Sequence, residues 1–595
     1  MRGRIIPGLI DWATSPSLPD ATPKHTHPLR YPALQAGAAP AGIVSHKPGS
    51  GKTLHAAARW FTSGTRAYGS DMEARTEVGG VRLAELMGAL SYAADLGLGQ
   101  PIEHCMRQTV IALRLADRLD ADGAEREATY YTGMLMNAHC HADATEQARW
   151  FGDDIAFKGD GVEVLGMNTA QTIGMLLRTL TSHGTAIDRA KRVASFPTVG
   201  FKLMETFLTT HSTLGAQFAE RVGFDALVAT AIGQAYEQWD GKGQPLHLRG
   251  NQICLPARVV QFAGPAETFH RRHGLDATVA MGHRWRGSRF APEVVDTFGA
   301  HAAEILDGID EAGSWAALLA AEPGLVRRVP ATGLDAVLVA IADLVDLKSA
   351  YLAGHSRGVA NLAAEAGRNS GFADDEVSEL RRAGLLHDLG RLGVSSGIWD
   401  KPGPLTETEF ERVRLHPYLT DRMLARIPAL ARIREIAARH HERLDGSGYP
   451  RGLTAASLTP PDLLLAAADV YHALTEPRPH RPPLDAGHAA DELRDQVRRG
   501  LLDGEAANAV LRAAGHRAPA RQSWPGGLTG REAEVLRLLA RGYPNKQIAQ
   551  RLVVSPKTVS NHVEHIYAKL HVSSRAAATL FATQHGLVGT FESVG

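Results

Sequence analysis

From residue 80 onward apolar positions recur at intervals of three and four. "LAELMGALSYAADL", "MRQTVIALRLADRL", "LDAVLVAIADLVDL" and "VANLAAEAG" each carry one such stripe. That period marks amphipathic helices, and no stretch shows the strict alternation of a half-buried strand. The pattern predicts an all-α fold. Residues 1–79 differ: they are rich in Pro, Gly, Thr and His without sustained periodicity, and a disordered extension is expected there. They include "HKPGSGKT", but a phosphate-binding loop needs glycine where His46 stands and an apolar strand leading in, so the match is read as accidental. A more regular segment opens at Met72, which is a candidate for the true start.

The helical region repeats itself. "EHCMRQTVIALRLADRL" around His104 parallels "GHSRGVANLAAEAG" around His355, and each histidine precedes a marked pair by 32 residues: Met136-Asn137 in one copy, His387-Asp388 in the other. His211 lies 29 residues before Asp240 of "DGKGQP", as His416 lies 29 before Asp445 of "DGSGYP". The offset between copies falls from 251 residues at the first histidine to 205 at the later one, so the first copy carries an extra 46 residues between them. These spacings divide the chain into a first bundle at 80–306, a linker rich in Ala, Gly and Pro at 307–333, and a second bundle at 334–514. A further linker follows at 515–526, around "GHRAPARQSWPGG", before a final segment at 527–595.

Composition narrows the classes. Lys plus Arg equals Asp plus Glu at 64 each, so no global basic field points to nucleic acid, and any such function must be local. Cys105, Cys140 and Cys254 are scattered, with no metal spacing, which argues for a reducing cytoplasm rather than a disulfide scaffold. No run approaches the length of a membrane-spanning helix, so a soluble, cytoplasmic chain with no membrane partner is expected.

The second copy holds the chemistry. His355, His387, Asp388, His416, His440, His441 and Asp469 are all candidate ligands. Leu380, Ala383 and Gly384 lead to His387 at helical spacing, Ile433, Ile436 and Ala437 lead to His440, and Leu465 sits one turn before Asp469. These polar groups therefore point where the apolar ones point. Burying unpaired carboxylates costs several kcal/mol each, and a metal removes that penalty. Five imidazoles and two carboxylates exceed the needs of one ion and suit two, and a pair of ions is a known arrangement for activating water against a phosphoester.

In order and spacing, "LLHDLGRLGV", "LHPYLT", "HHERLDGSGYP" and "AAADVYHALTEPR" resemble the HD-GYP branch of the HD metal-dependent phosphohydrolases, over about residues 335–515. The resemblance implies a helical bundle around a binuclear iron or manganese centre that hydrolyses cyclic di-GMP or a related phosphoester. It assigns the seven residues above as ligands with Asp388 bridging, and Gly448-Tyr449-Pro450 as the mouth of the substrate site. Arg391 stands where the family usually has lysine; with Asp388 it is the expected catalytic pair. Its charge suits a phosphate oxygen, although its rigid fork is not a point charge. Tyr351 stands where trinuclear members carry glutamate, so two ions are expected. Arg478 and Arg481 are candidate phosphate contacts.

The first copy keeps His104 and His211, but Met136, Asn137, Ala235, Tyr236 and Gly264 replace the other ligands. Two histidines cannot hold a binuclear site, and His139 and His141 lie past the matching positions. A helical fold without hydrolysis is expected there.

The final segment, "LTGREAEVLRLLARGYPNKQIAQRLVVSPKTVSNHVEHIYAKLHVSSR", reads as three helices, the first capped by Thr529 with Glu532, the third by Ser555 with Pro556 following. Val559, Val563, Ile566 and Leu570 share one face of the third helix, leaving Lys557, Ser560, Asn561, Glu564 and His565 outward. From 528 to 595 eight Lys or Arg face four acids, a net +4 that the whole-chain balance hides. These residues resemble the LuxR/NarL-type helix-turn-helix, a tetrahelical DNA-binding domain that usually acts as a dimer. The resemblance implies that Lys557 and Thr558 meet phosphates while Ser560, Asn561 and Glu564 face base edges.

The order of the parts resembles actinobacterial HD-domain transcriptional regulators. The expected protein is thus two tandem HD-type bundles, the first degenerate, joined to a promoter-binding domain, with a homodimer as the expected state. The competing expectation is a transcription factor whose HD domains bind a nucleotide without turning it over.

Overall fold

The computed structural model describes residues 80–516, 524–552, 554–585 and 587. The 1–79 segment, with its "HKPGSGKT" stretch and Met72, lies outside the described residues. The chain divides into two compact units, Met1–Ala513 and Ala514–Gly595.

The fold is all-α apart from one two-stranded antiparallel pair, Val81–Arg82 with Arg328–Val329. That pair corrects the picture of residues 307–333 as a bare linker. They form the short helices Ile309–Ala312 and Trp315–Ala320, bury Trp315, and place the second strand beside the start of the first copy. The reason is local: Arg327 offers its carbonyl to the Leu83 amide at 2.8 Å, and the Arg82 guanidinium reaches the Glu322 carboxylate at 2.6 Å.

Within the large unit the repeat is structural. In the first copy the Asp95 carboxylate accepts from the Cys105 amide at 3.0 Å; in the second, Asp346 accepts from the Ser356 amide at 3.0 Å. Each bond anchors the start of the helix that opens with the copy's first histidine, His104–Arg118 or His355–Asn369. Later, Glu237 holds the amides of Leu246 and Leu248, as Glu442 holds those of Arg451 and Leu453. These matched pairs keep the two offsets read from the sequence.

The extra 46 residues of the first copy fall in a helical insertion that includes Asp154–Gly161, Thr169–Leu180 and the early part of the long helix Ala186–Val222. Its core, with Phe151, Leu180 and Phe196, is small, but the insertion supplies one of the contacts that join the copies. Asp154, fully buried, receives the Lys348 ammonium at 2.8 Å, the Ser395 hydroxyl at 2.8 Å and the Ser396 amide at 2.8 Å. Asp400 joins the Thr145 hydroxyl of the first copy to the Ser349 hydroxyl of the second, both at 2.5 Å.

Among its described residues the small unit has four α-helices, Gly530–Ala540, Asn545–Leu552, Pro556–Leu570 and Arg575–Gln584, around a core of Val535, Leu536, Ile548, Val559 and Ile566. The fourth is the one the periodicity did not single out. The Thr529 capping box forms with Glu532, and Ser555 caps the third helix through the Thr558 amide at 3.1 Å.

Candidate metal centre and cleft

Helix ends and one helix interior deliver the histidines and carboxylates. His355 opens the helix His355–Asn369; His387 and Asp388 follow the end of Asp374–Leu386; His416 opens His416–Leu424; Asp469 lies inside Pro460–Thr475. The helix preceding His440 and His441 ends at Ala437, so this pair sits in the turn beyond it rather than in the helix itself.

The seven groups converge. Asp388 Oδ2 lies 3.6 Å from His355 Nε2 and 3.1 Å from His387 Nε2, while Oδ1 lies 3.4 Å from His416 Nε2 and 3.7 Å from His440 Nε2. Asp469 is placed similarly, Oδ1 at 3.3 Å from His355 Nε2 and Oδ2 at 3.8 Å from His441 Nδ1. Four sets fall within mutual reach of a cation: His355, His387 and Asp469; His387, Asp388 and His440; His416, His440 and His441; and, on the outer side of His355, His355, His472 and Glu476.

The orientation of the rings has a common cause. His387, His416 and His440 each donate Nδ1–H to the carbonyl three residues earlier, Gly384, Val413 and Ala437, at 2.7, 2.6 and 2.7 Å. That bond fixes the tautomer and turns the Nε2 lone pair inward. His355 is fixed instead by Glu476, 2.8 Å from Nδ1, a carboxylate on the outer side of the ring.

Whether these residues fit a metal can be judged from their unmet needs. Asp388 Oδ1 and the Nε2 atoms of His355 and His387 are buried without a hydrogen-bond partner, and Asp388 Oδ2 has the Arg391 guanidinium as its charge partner. Such orphans cost kcal/mol apiece unless a cation takes them up. Protonation agrees. Burial would raise the Asp388 carboxyl, yet Arg391 and His387 hold it well below the usual range; Asp469 is likewise held low against burial by its bond to His355 and by His441. Burial, with neighbouring imidazoles, pushes His440 and His441 well below theirs. Ionised carboxylates and neutral imidazoles are the forms a metal binds. His355 alone is pushed up to about 9, where Asp469 and Glu476 outweigh the opposing effect of burial, so a bound cation would displace its proton.

Arg391 is buried at the cluster edge, Nε 2.7 Å from Asp388 Oδ2 and its guanidinium 4.7 Å from the centre of the Trp399 ring. Beside it opens a cleft of about 580 Å³, lined by His416, His441, Asp469, Arg391 and Arg478 among others. Tyr449 forms part of the wall, its ring 4.7 Å from that of His441. Gly448 is needed for close approach: a Cβ there would stand 2.4 Å from the Arg443 amide nitrogen, a clash with the turn's own backbone. Pro450 follows in the same turn through a cis peptide. Arg478 reaches Glu476 at 2.9 Å. Arg481 lines the cleft, but its terminal nitrogens donate to the carbonyls of Ala473, Leu474, Glu476 and Pro482, so it ties the loop together. Sequence reasoning passed over Glu476, His472, Arg443 and the clamp Glu442. Glu476 lies within the quoted "AAADVYHALTEPR", and the signal was its position one helical turn beyond His472.

In the first copy the matching space is filled. The Asn137 amide approaches Gln108 Oε1 at 3.4 Å, and a Cβ at Gly264 would lie 2.4 Å from that same oxygen, so Gln108 occupies the place of the missing aspartate. His104 pairs with Glu267 at 2.5 Å and His211 with Asp143 at 3.1 Å. His141 bonds the Leu344 carbonyl at 2.6 Å, and burial pushes His139 down to about 3. Among the described residues, every group able to hold a metal belongs to the second copy.

In the small unit Val559 and Ile566 are buried, Leu570 nearly so, and Val563 packs partly against them. Lys557, Asn561, Glu564 and His565 are exposed, whereas Thr558 and Ser560 are half-buried. The Thr558 hydroxyl lies 2.7 Å from that of Ser555, and Ser560 receives the Asn545 amide at 3.2 Å, which locks the third helix to the second.

The HD domain model matches residues 202–273 and 340–506, touching both copies, and the model of bacterial regulatory proteins of the LuxR family matches 527–582. The chain therefore combines HD-domain architecture with a LuxR-family DNA-binding domain. It is 29% identical over 416 residues, 69% of this chain and 90% of the relative, to the 3'3'-cGAMP-specific phosphodiesterase 3 of Vibrio cholerae. A cyclic di-GMP phosphodiesterase of Pseudomonas aeruginosa is 36% identical over 30% of this chain and 43% of its own length. The crystal structure of a cyclic GMP-AMP-specific phosphodiesterase of V. cholerae superposes with a TM-score of 0.50 at 25% identity, covering 74% of this chain and 99% of that one. The HD domain is thus homologous to metal-dependent cyclic dinucleotide phosphodiesterases. Among the described residues no helix is long and apolar enough to cross a membrane.

Proposed function

We propose that the chain is a cytoplasmic transcriptional regulator whose second HD copy hydrolyses a cyclic dinucleotide. The observation that carries this is the buried Asp388 carboxylate, one oxygen facing His355 and His387, the other facing His416 and His440, beside a cleft of about 580 Å³. His355, His387, Asp388, His416, His440, His441 and Asp469 would hold divalent ions, two in number and iron or manganese in kind. When bound, the ions would supply positive charge against the phosphoryl oxygens and lower the pKa of water. The protein's own part is to hold the diester. Arg391, Arg443 and Arg478 line the cleft with fixed positive charge for its non-bridging oxygens, and Tyr449 walls it beside His441. The small unit would bind promoter DNA as a homodimer, Lys557 and Thr558 on phosphates, Ser560, Asn561 and Glu564 towards base edges.

One observation favours a second reading. Arg391 lies 2.7 Å from an Asp388 oxygen that a cation would need, so metal must compete with a buried guanidinium. Weak loading would leave a nucleotide-gated transcription factor without turnover. Purified protein supplied with manganese and cyclic di-GMP separates the two. Many turnovers, abolished by Asp388→Ala, are expected; one nucleotide bound per site with no linear product would sink the hydrolase.

A further inference from the structure

The proposed hydrolysis uses the phosphate-binding part of the cleft, but the cleft has another wall. The helix Ala486–Arg498, which contributes nothing to the metal cluster, lines it with Asp491, Glu492, Asp495 and Gln496. Asp491 and Asp495 are engaged in surface pairs with Arg494 and Arg498, both at 2.9 Å. Glu492 is placed differently. It is half-buried, and its carboxylate meets the side-chain amide of Gln496, one turn on, at 3.4 Å. Gln496 is only 5% exposed, and its carbonyl oxygen is buried without a partner. A helix wall rarely keeps such an orphan beside a cavity, because an unmet buried acceptor costs about 1–3 kcal/mol.

The pair presents a recognisable set of groups: an ionised acceptor with two oxygens, flanked by an amide whose N–H is given to that carboxylate and whose carbonyl is unmet. Its complement is a flat heterocycle with adjacent N–H donors. The Watson–Crick edge of guanine offers N1–H and one N2–H for a carboxylate, and the second N2–H for the unmet Gln496 carbonyl. Adenine offers a bare ring nitrogen at N1, which a carboxylate oxygen would repel. Since Arg391, Arg443 and Arg478 line the same cleft, phosphate and base can be held together in it.

We infer that Glu492, supported by Gln496, reads the base of the bound dinucleotide and makes the cleft selective for guanine over adenine. This rests on the dinucleotide function proposed above. A site built to hydrogen-bond a donor edge rejects a substrate lacking it far more strongly than an apolar pocket rejects a shape.

The test uses the full chain loaded with manganese. It compares kcat/KM for cyclic di-GMP, 3'3'-cyclic GMP-AMP, cyclic di-AMP and the base-free diester bis(p-nitrophenyl) phosphate, in wild type, Glu492→Ala and Glu492→Gln. Cyclic di-GMP is expected to exceed cyclic di-AMP by roughly tenfold or more in the wild type. Glu492→Ala is expected to lose about tenfold on cyclic di-GMP, mainly through KM, and much less on the base-free diester. Glu492→Gln, whose amide can donate to adenine N1 and accept from its amino group, is expected to move the ratio towards cyclic di-AMP. Each ratio comes from one preparation, so partial misfolding cancels. Equal handling of the three dinucleotides by wild type, or ratios unmoved by both substitutions, would overturn the base assignment alone. Cleavage of the base-free diester with none of any dinucleotide would instead overturn the dinucleotide function, and the base assignment with it.

Discussion

Arg391 and Asp388 set the character of the site at the scale of single residues. The guanidinium is held between the Asp388 carboxylate at 2.7 Å and the face of Trp399 at 4.7 Å, so it neutralises a buried anion and has little freedom to leave. The same charge that serves a phosphoryl oxygen also opposes a cation at Asp388. Arg391→Ala is therefore expected to tighten manganese binding while lowering phosphodiester turnover by roughly 100-fold, the scale of one lost transition-state charge contact. Calorimetric metal titration and steady-state kinetics on the same protein would check both; a parallel loss of metal and activity would contradict this division of roles. Three of these residues were marked in the sequence, because His387, His440 and Asp469 each follow an apolar stripe. Glu476 was less visible, since a carboxylate among "TEPRPH" carries no period and only folding sets it against His355.

Helices and turns aim those residues. Three of the histidines owe their direction to a carbonyl three positions earlier, which is a property of the helix terminus each one ends or begins. The turn after His441 is aimed by Glu442, whose two oxygens hold the Arg451 and Leu453 amides at 2.8 Å each. Gly448 lets that turn close against the Arg443 nitrogen. Gly448→Ala should push the turn off, displace Tyr449 from the His441 ring and raise KM for the dinucleotide about tenfold or more, while helix content by circular dichroism stays within error of wild type. An unaltered KM would show that the turn does not shape the cleft. The glycine is required by the turn's own backbone.

On the scale of the whole molecule the two copies are bound by groups that no motif announced. Asp154 lies in the insertion of the first copy, and Lys348, Ser395 and Ser396 lie in the second, all buried. Burial would raise the Asp154 carboxyl, but Lys348 and Lys158 hold it below the usual carboxylate range. A carboxyl lowered by folding adds stability that is complete above its unfolded pKa of about 3.9 and is lost as pH falls towards the lower folded value. Melting of the large unit is therefore expected to weaken progressively as pH falls below about 4. Asp154→Ala, which strands Lys348 in the core, should cost about 3–5 kcal/mol at pH 7 and flatten that acid dependence. Calorimetry across pH would decide. A loss below about 1 kcal/mol would mean the two copies are held by packing alone.

The chain's periodicity and spacing determined by themselves that the protein is helical, that it repeats, that one copy keeps the seven histidines and carboxylates and the other does not, and that a basic helical segment follows them. These are local or translational properties: a helix buries the face its own period defines, and a ligand must sit on that face. What only the tertiary structure decided is how separate faces meet. It folded 307–333 into two short helices and a strand paired with Val81–Arg82, filled the spent site with Gln108, set Glu476 behind His355, and brought Glu492 and Gln496 to a cleft built largely from other helices. Such meetings depend on contacts between residues hundreds of positions apart, and no local pattern encodes the partner of a buried charge.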